Sequence, residues 1–376
     1  RGSAYRHGGF VKATEADGVV LDTRGASSRE LQAVADRVKP GIIMYSEGMA
    51  VPKDMPGIVS GRVHDALVMP PPLNLNKFIK PDFAIFRVLQ LADDRLHREI
   101  AISFFNGYGV EINTMRPGRP AWVKEEFTYL GRTSRILREN SSIFTNYSLE
   151  PLIPTLIDSI YVNSWGDQRK RLYTIYCAHP GGCNEPLFKP ASLKHSDGTE
   201  ISFHDCHLVD LWNHWMVEPV LKGGQFFVPV KLDSFDPAWL NTRREGSSGC
   251  IAVFPKMLSA EIKGNILTVS ANTAIADSIV ITGENPSYQS RQFTFLEPKI
   301  ALDYRKLFAK PVDKIVVQMF AENELVDEFV VTPVKAIPLL ISNKENTVPV
   351  DNTPEGMIKI MPGSFNFYTK RAADAL

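Results

Sequence analysis

Short apolar runs alternate with stretches of helical spacing over the first 147 residues. Gly18-Val-Val-Leu21-Asp22 reads as a five-residue buried strand ending in an acid. Ser27 or Ser28 then caps a helix with Glu30 in its first turn. Leu31, Val34, Ala35 and Val38 recur at helical spacing until Pro40 stops it. Gly41-Ile-Ile-Met-Tyr45-Ser46-Glu47-Gly48 reads as a second strand, again ending in an acid. The pattern predicts further strands at Ala84–Val88 and Ala101–Phe105 and a long amphipathic helix over Trp122–Glu139. Phe10–Ala16 reads as the end of a preceding helix. Strands and helices alternating in this way make βαβ units and a parallel sheet. A doubly wound sheet and a (β/α)₈ barrel share that pattern. No G-x-G-x-x-G follows the first strand, which weighs against a dinucleotide fold. Acids at the carboxyl ends of successive strands form the active face of a barrel. The expected fold class is α/β plus all-β: the C-terminal half of a (β/α)₈ barrel followed by β-sandwich domains.

The character changes around Pro151–Pro154. From Ile157 onward β-branched and aromatic residues dominate, broken by Gly, Asn, Asp and Pro. Strands are expected at Ser159–Val162, Arg171–Tyr176, Gln225–Leu232, Cys250–Phe254 and Asn265–Ser270, and together they read as a β-sandwich. Strands at Ser278–Thr282, Lys314–Gln318 and Asp327–Val331 predict a second sandwich-like unit. Ser342–Glu355, polar and proline-bearing, reads as a linker. The domain plan is a partial barrel over 1–147, β-sandwiches over 148–272 and 273–341, and a linker with the start of a further module over 342–376.

Charge and composition narrow the partners. Lys+Arg and Asp+Glu both number 42. Such a chain has no electrostatic footprint for nucleic acid or an anionic membrane. Arg132, Arg135 and Arg138 form a local basic run that reads as a solvated helix face. No apolar run approaches the roughly 18 residues of a membrane helix. The chain starts Arg1-Gly2-Ser3 without Met, so its N-terminal half of the barrel is expected to lie upstream. Cys177, Cys183, Cys206 and Cys250 can be free and buried or joined in disulfides. Cys177, Cys183, His204, Cys206 and His207 invite a zinc reading. Their C-x₅-C and H-x-C-H spacings lack the close cysteine pair of such a site. Strand alternation would also put His204 and Cys206 on one face and Asp205 and His207 on the other. No metal and no cofactor is expected.

The chemistry rests on the two strand-end acids. Asp22 and Glu47 are 25 residues apart, about one β-loop-α-loop-β unit, so they top neighbouring strands. Glycosidic cleavage needs two carboxyls flanking one bond. Gly25 and Gly48 follow the two acids and let the backbone turn away from them. Asp22 pairing with Arg24, or capping the next helix, is the structural alternative. Arg24, Tyr45, Arg62, His64, Asn106, Tyr108 and Glu111 are candidate sugar contacts. The tyrosines could stack on a ring, or pack in the core or at the rim; Asn106 could close a turn.

At these residues the sequence resembles known families. An Asp on one barrel strand and a Glu on the next is the order in retaining α-glycosidases of the α-amylase and endo-α-N-acetylgalactosaminidase type. Leu21-Asp22-Thr-Arg-Gly25, Met44-Tyr-Ser-Glu-Gly48 and Phe104-Phe-Asn-Gly-Tyr-Gly-Val-Glu-Ile-Asn113 are also similar to a large bacterial glycoside-hydrolase-like family of unknown function. The resemblance covers about residues 10–145. It implies Asp22 as nucleophile and Glu47 as acid/base in cleavage of an α-glycosidic bond, with a carbohydrate as the partner and a secreted or periplasmic location. The likeness to the amylases is one of layout, because Val20 stands where they carry an arginine. Glu355-Gly-Met-Ile-Lys-Ile-Met-Pro362-Gly363-Ser-Phe-Asn-Phe367 resembles the opening of a formylglycine-generating-enzyme-like domain. The rival from another class is a non-catalytic carbohydrate-binding or cell-surface scaffold.

Overall fold

The computed structural model describes residues 9–21, 28–46, 53, 55, 59–63, 73–90, 96–113, 123–167, 169–234, 247–272, 276–333 and 352–359. Strand dominates, and the few helices lie mainly in the first 144 residues. Strands β1 (Gly18–Leu21), β2 (Ile43–Ser46), β3 (Ser60–Val63), β4 (Ala84–Gln90) and β5 (Gly109–Asn113) form one sheet in the order β1-β2-β3-β4-β5. Every pairing is parallel. Each strand joins on the same side of the one before it. A doubly wound sheet reverses its order at a switch point, and this sheet does not.

Helix α1 (Arg29–Val38) begins at Ser28, whose Oγ accepts the Leu31 N–H at 3.2 Å. Its Leu31 and Ala35, with Val11 of the helical segment 9–14, pack on Val19, Leu21, Ile42 and Met44. The other face of the sheet carries Val20 and Ile43, 62% and 55% exposed. Parallel sheets are normally covered on both faces. Here β1 and β2 are covered by α1 on one.

Helices α2 (Asn76–Ile79), α3 (His97–Phe105), α4 (Val123–Glu139) and α5 (Ser141–Phe144) follow. Residues 101–105, expected as a strand, are the second half of α3. Arg98 to Phe105 are buried without exception. Ile100 packs with Leu89, Val110 and Ile112 of the parallel sheet, and Phe104 packs with Trp165 and Leu172 of the next sheet. A helix enclosed on all sides has no polar stripe, so a short apolar run within it reads equally well as a buried strand. The strand of this unit is β5, in the stretch that reads as a glycine-rich turn. The end of α3 is tied to the following sheet: the Phe105 carbonyl accepts from Asn163 Nδ2 at 3.0 Å and Thr174 Oγ1 at 2.8 Å. Gly107 then takes φ +67°, and an added Cβ would lie 2.8 Å from the Trp165 ring. Only glycine meets both conditions.

The β-rich part begins with β6 (Ile160–Gly166), β7 (Arg171–Cys177), β8 (Cys183–Phe188), β9 (Cys206–Asp210), β10 (Trp215–Met216), β11 (Val220–Lys222), β12 (Gln225–Leu232) and β13 (Ser247–Pro255). They form antiparallel sheets β10-β9-β13-β7-β6 and β11-β12-β8. One face of the larger sheet packs Val162, Tyr173, Ile175 and Ile251 against Leu187, Phe188, Val228 and Val230 of the smaller. Its other face packs Trp165, Leu172, Ala252 and Phe254 on Phe104, Ile136 and Phe144 of the helices.

Strands β14 (Leu258–Lys263), β15 (Ile266–Ala271), β16 (Ser278–Gly283), β17 (Gln292–Phe295), β18 (Lys299–Asp303), β19 (Ile315–Ala321) and β20 (Glu324–Val331) make the second sandwich, with sheets β14-β15-β18 and β17-β16-β19-β20. The Asn265–Ser270 strand, read as part of the first sandwich, is β15 and bonds to β14 and β18. Hydrogen bonding therefore moves the expected boundary at 272/273 back to the turn between β13 and β14. Residues 1–333 form one compact unit rather than three, because the large sheet is buried on both faces. Residues 334–376 form another, of which 352–359 are described, with a turn at Glu355–Gly356. The rest of the expected linker and module start lies outside the described residues.

Gly131 sits inside α4, where glycine costs conformational entropy in the unfolded chain. An added Cβ would meet Tyr288 Cδ2 at 3.7 Å, an ordinary contact. Gly131→Ala is expected to stabilise the protein by about 0.5–1 kcal/mol, read as a higher denaturant midpoint at unchanged slope.

Candidate functional site

Strand register carries one face across the parallel sheet. Val20 pairs with Tyr45, Tyr45 with Ser60, Arg62 with Phe86, and Phe86 with Gly109. Successive residues alternate faces, so positions 20, 45, 60, 62, 86, 109 and 111 share one, opposite Leu21 and Met44. On this face Arg62 of β3 reaches across β4 to Glu111 of β5. Arg62 Nη2 donates to Glu111 Oε1 at 2.8 Å and to Oε2 at 3.0 Å, and Nε donates to Oε2 at 3.3 Å. The pair is part-buried, with side chains 15% and 36% exposed. Water screens such a pair, so its worth to stability is small. Its forked geometry fixes the direction of both groups.

Two expected sugar contacts belong to the packing instead. Asn106 is 2% exposed and finishes α3: its Nδ2 donates to the Ile102 carbonyl at 2.8 Å, and its Oδ1 accepts the Asn74 N–H at 2.6 Å. Tyr108 is 4% exposed, so its ring is no open stacking platform. The reason is shared: α3 and its exit turn lie between two sheets, and side chains there turn inward. Asp22, Arg24, Glu47 and His64 lie outside the described residues. For Tyr45 the backbone register alone is described.

The structure also holds buried acid–histidine pairs that the sequence reading missed. Asp327 and Glu328, neighbours on β20, are both 0% exposed. Asp327 meets His207 Nδ1 at 2.9 and 3.1 Å and accepts the Met257 and Leu258 N–H groups at 2.9 and 2.8 Å. Burial still pushes its carboxyl above the usual range. Glu328 meets His214 Nδ1 at 2.8 Å and accepts from Gln318 Nε2 at 2.8 Å. Gln318 in turn accepts from Arg135 of α4 at 2.7 Å. These links clamp the second sandwich to the first and to α4. The adjacent acids in a strand were the one available signal, and nothing local marks their partners.

Among the zinc candidates, His204 lies in a 3₁₀ turn, Phe203–Asp205, and the strand starts only at Cys206, so the expected alternation does not hold. His207 serves Asp327. All four cysteines are free and buried. Burial pushes the thiols of Cys177 and Cys206 up to about 11, which makes them poor nucleophiles.

No protein-family model matches this chain, and no curated protein matches it. Solved structures do. The α-amylase from Geobacillus thermoleovorans complexed with acarbose aligns with 67% of this chain and 63% of its own, at 13% identity and a TM-score of 0.39. The α-amylase from H. orenii aligns with 66% and 64%, at 11% identity and a TM-score of 0.41. A debranching enzyme from Nostoc punctiforme aligns with 66% and 60%, at 12% identity and a TM-score of 0.40. The chain thus spans a little over three fifths of these structures. Among the described residues, no helix is long and apolar enough to cross a membrane.

Proposed function

We propose that this chain is the part of a glycoside hydrolase that carries both catalytic carboxyls, Asp22 and Glu47, on the C-terminal half of a (β/α)₈ barrel. The observation that carries the reading is the last register pair of β1 and β2, Leu21 with Ser46. Asp22 and Glu47 are the next residues in sequence. Neighbouring strands lie about 4.8 Å apart. Glycosidic cleavage needs its two carboxyls roughly 5–5.5 Å apart for retention or roughly 6.5–9.5 Å for inversion, a separation that neighbouring strand ends can supply. The barrel reading is supported by the unbroken strand order and by Val20 and Ile43, exposed on the face that the remaining strands of a closed barrel would cover.

In this mechanism Asp22 attacks the anomeric carbon of an α-glycoside while Glu47 gives its proton to the departing oxygen. Glu47 then takes a proton from water, and that water displaces Asp22 from the sugar. Two inversions leave the configuration retained. Arg24, Tyr45, Arg62, His64 and Glu111 hold the sugar, and Asn106 and Tyr108 support the strand ends through packing. A secreted or periplasmic location goes with this class.

The test uses the protein with its complete barrel, incubated with a panel of α- and β-linked glycans, with the first-formed anomer read by NMR. Cleavage of an α-linked glycan to the α-anomer is expected. The β-anomer, or no cleavage of any glycan, overturns the reading. A second reading, a carbohydrate-binding scaffold, is favoured by the burial of Asn106 and Tyr108 and by the engagement of Glu111 with Arg62. It is distinguished by binding from the same panel without cleavage.

A further inference from the structure

A groove of about 710 Å³ runs between α4 and the 285–289 loop of the second sandwich. Lys124, Phe127, Thr128 and Gly131 line one wall. Their spacing of three, four and seven residues is one face of a helix. Asn285, Tyr288 and Gln289 are on the other wall. Phe127 is 40% exposed and Tyr288 59%. Two large rings held open to water in one groove need a reason, since most aromatics are buried. Asn285 Oδ1 is buried without a hydrogen-bond partner, an acceptor that a bound donor would satisfy.

The loop is built before any ligand arrives. Ser290 N donates to the Ser287 carbonyl at 3.1 Å, the Ser287 and Ser290 hydroxyls meet at 2.8 Å, and Ser290 Oγ donates to the Asn285 carbonyl at 3.2 Å. Tyr288 lies over Gly131, where the helix offers bare backbone to the ring. A ring fixed in this way loses little freedom on binding. Among the described residues no Asp or Glu lines the groove, and Lys124 and Arg132 do. Aromatic faces beside amides and hydroxyls match a pyranose, which has an apolar C–H face and a rim of hydroxyls.

We propose that this groove is a second carbohydrate site that takes a short oligosaccharide away from the strand-end acids. Its ligand class rests on the glycoside reading, while its residues are independent of it. Tyr288 and Phe127 carry the sugar rings, and Asn285 Oδ1 accepts a sugar hydroxyl.

The test titrates maltohexaose, cellohexaose and N-acetylchitohexaose into the full chain by calorimetry, in an Asp22→Asn background so that nothing is consumed. At least one is expected to bind. Tyr288→Ala should then weaken it about tenfold or more, and Phe127→Ala should weaken it less. Melting temperatures confirm that these exposed positions leave the fold intact. Unchanged affinity in both variants, or no binding of any of the three, overturns the groove. If Tyr288→Ala abolishes binding while the protein with Asp22 cleaves no glycan, the groove stands and the hydrolase reading falls. If glycans are cleaved and Tyr288→Ala leaves affinity unchanged, the groove alone falls.

Discussion

Asp22→Asn is expected to lower glycan hydrolysis by about 10³-fold or more, at least about 4 kcal/mol in the barrier, with little change in melting temperature. Asparagine keeps the shape of the side chain and removes the attacking oxyanion. No covalent intermediate forms, so the loss falls on kcat. Glu47→Gln has a different signature. It removes a proton donor, which matters most when the leaving group is a poor one such as a sugar hydroxyl. Hydrolysis of a glycan should fall steeply, and departure of an acidic phenol from an aryl glycoside far less. The pair of variants thus separates attack from protonation. Wild-type turnover by the Asp22→Asn protein would remove the nucleophile from the mechanism, whatever Glu47→Gln does.

The second large effect is alkaline unfolding. Burial pushes the Cys177 thiol up to about 11 and the Tyr173 phenol up to about 12, and it holds Tyr129 and Cys250 well above their usual ranges. These groups keep their protons more tightly in the folded state. Below about pH 8 both folded and unfolded forms are protonated, and their stabilising contribution is complete. As pH rises through the folded values, the unfolded chain ionises first and stability is lost. Near pH 12, Cys177 and Tyr173 each withdraw about 2–3 kcal/mol, which together is a large share of a typical domain's stability.

Lys77 acts with the opposite sign. Burial lowers it to about 8, so between pH 8 and 10.5 the unfolded chain binds its proton better and stability rises with pH. The expected profile is flat or slightly rising to about pH 9, then falls. Phenolate absorbance from the buried Tyr129 and Tyr173 should therefore appear in one cooperative step that coincides with loss of circular dichroism. Gradual titration of these two with the fold intact would contradict it.

Much of the local structure was legible. Ser28 as cap, Pro40 as stop, the strand at Gly18–Leu21 and the strand Gln225–Leu232 are all found where periodicity puts them. Residues 101–105 were misread because enclosure on all sides erases the helical stripe. Ser60–Val63 was missed because a four-residue strand containing Ser, Gly and Arg carries no alternating apolar signal. Of the candidate site residues, Arg62 and Glu111 are brought together by β3 and β5, whereas Asn106 and Tyr108 are absorbed by the exit of α3.

The sequence by itself determined the repeating βα units, the change to strand-rich structure near Pro151–Pro154, and the acids that follow two strands. Capping, turn chemistry and periodicity act within a few residues, so they can be read from the chain directly. Tertiary structure alone decided that β15 joins β14 and β18, that α3 is enclosed between two sheets, and that Asp327 and Glu328 meet His207 and His214 across 120 and 114 residues. Burial and cross-chain hydrogen bonds depend on partners that no local pattern names. Hydrophobic attraction has no direction, so it fixes that a face is covered but leaves the choice of covering element to the whole fold.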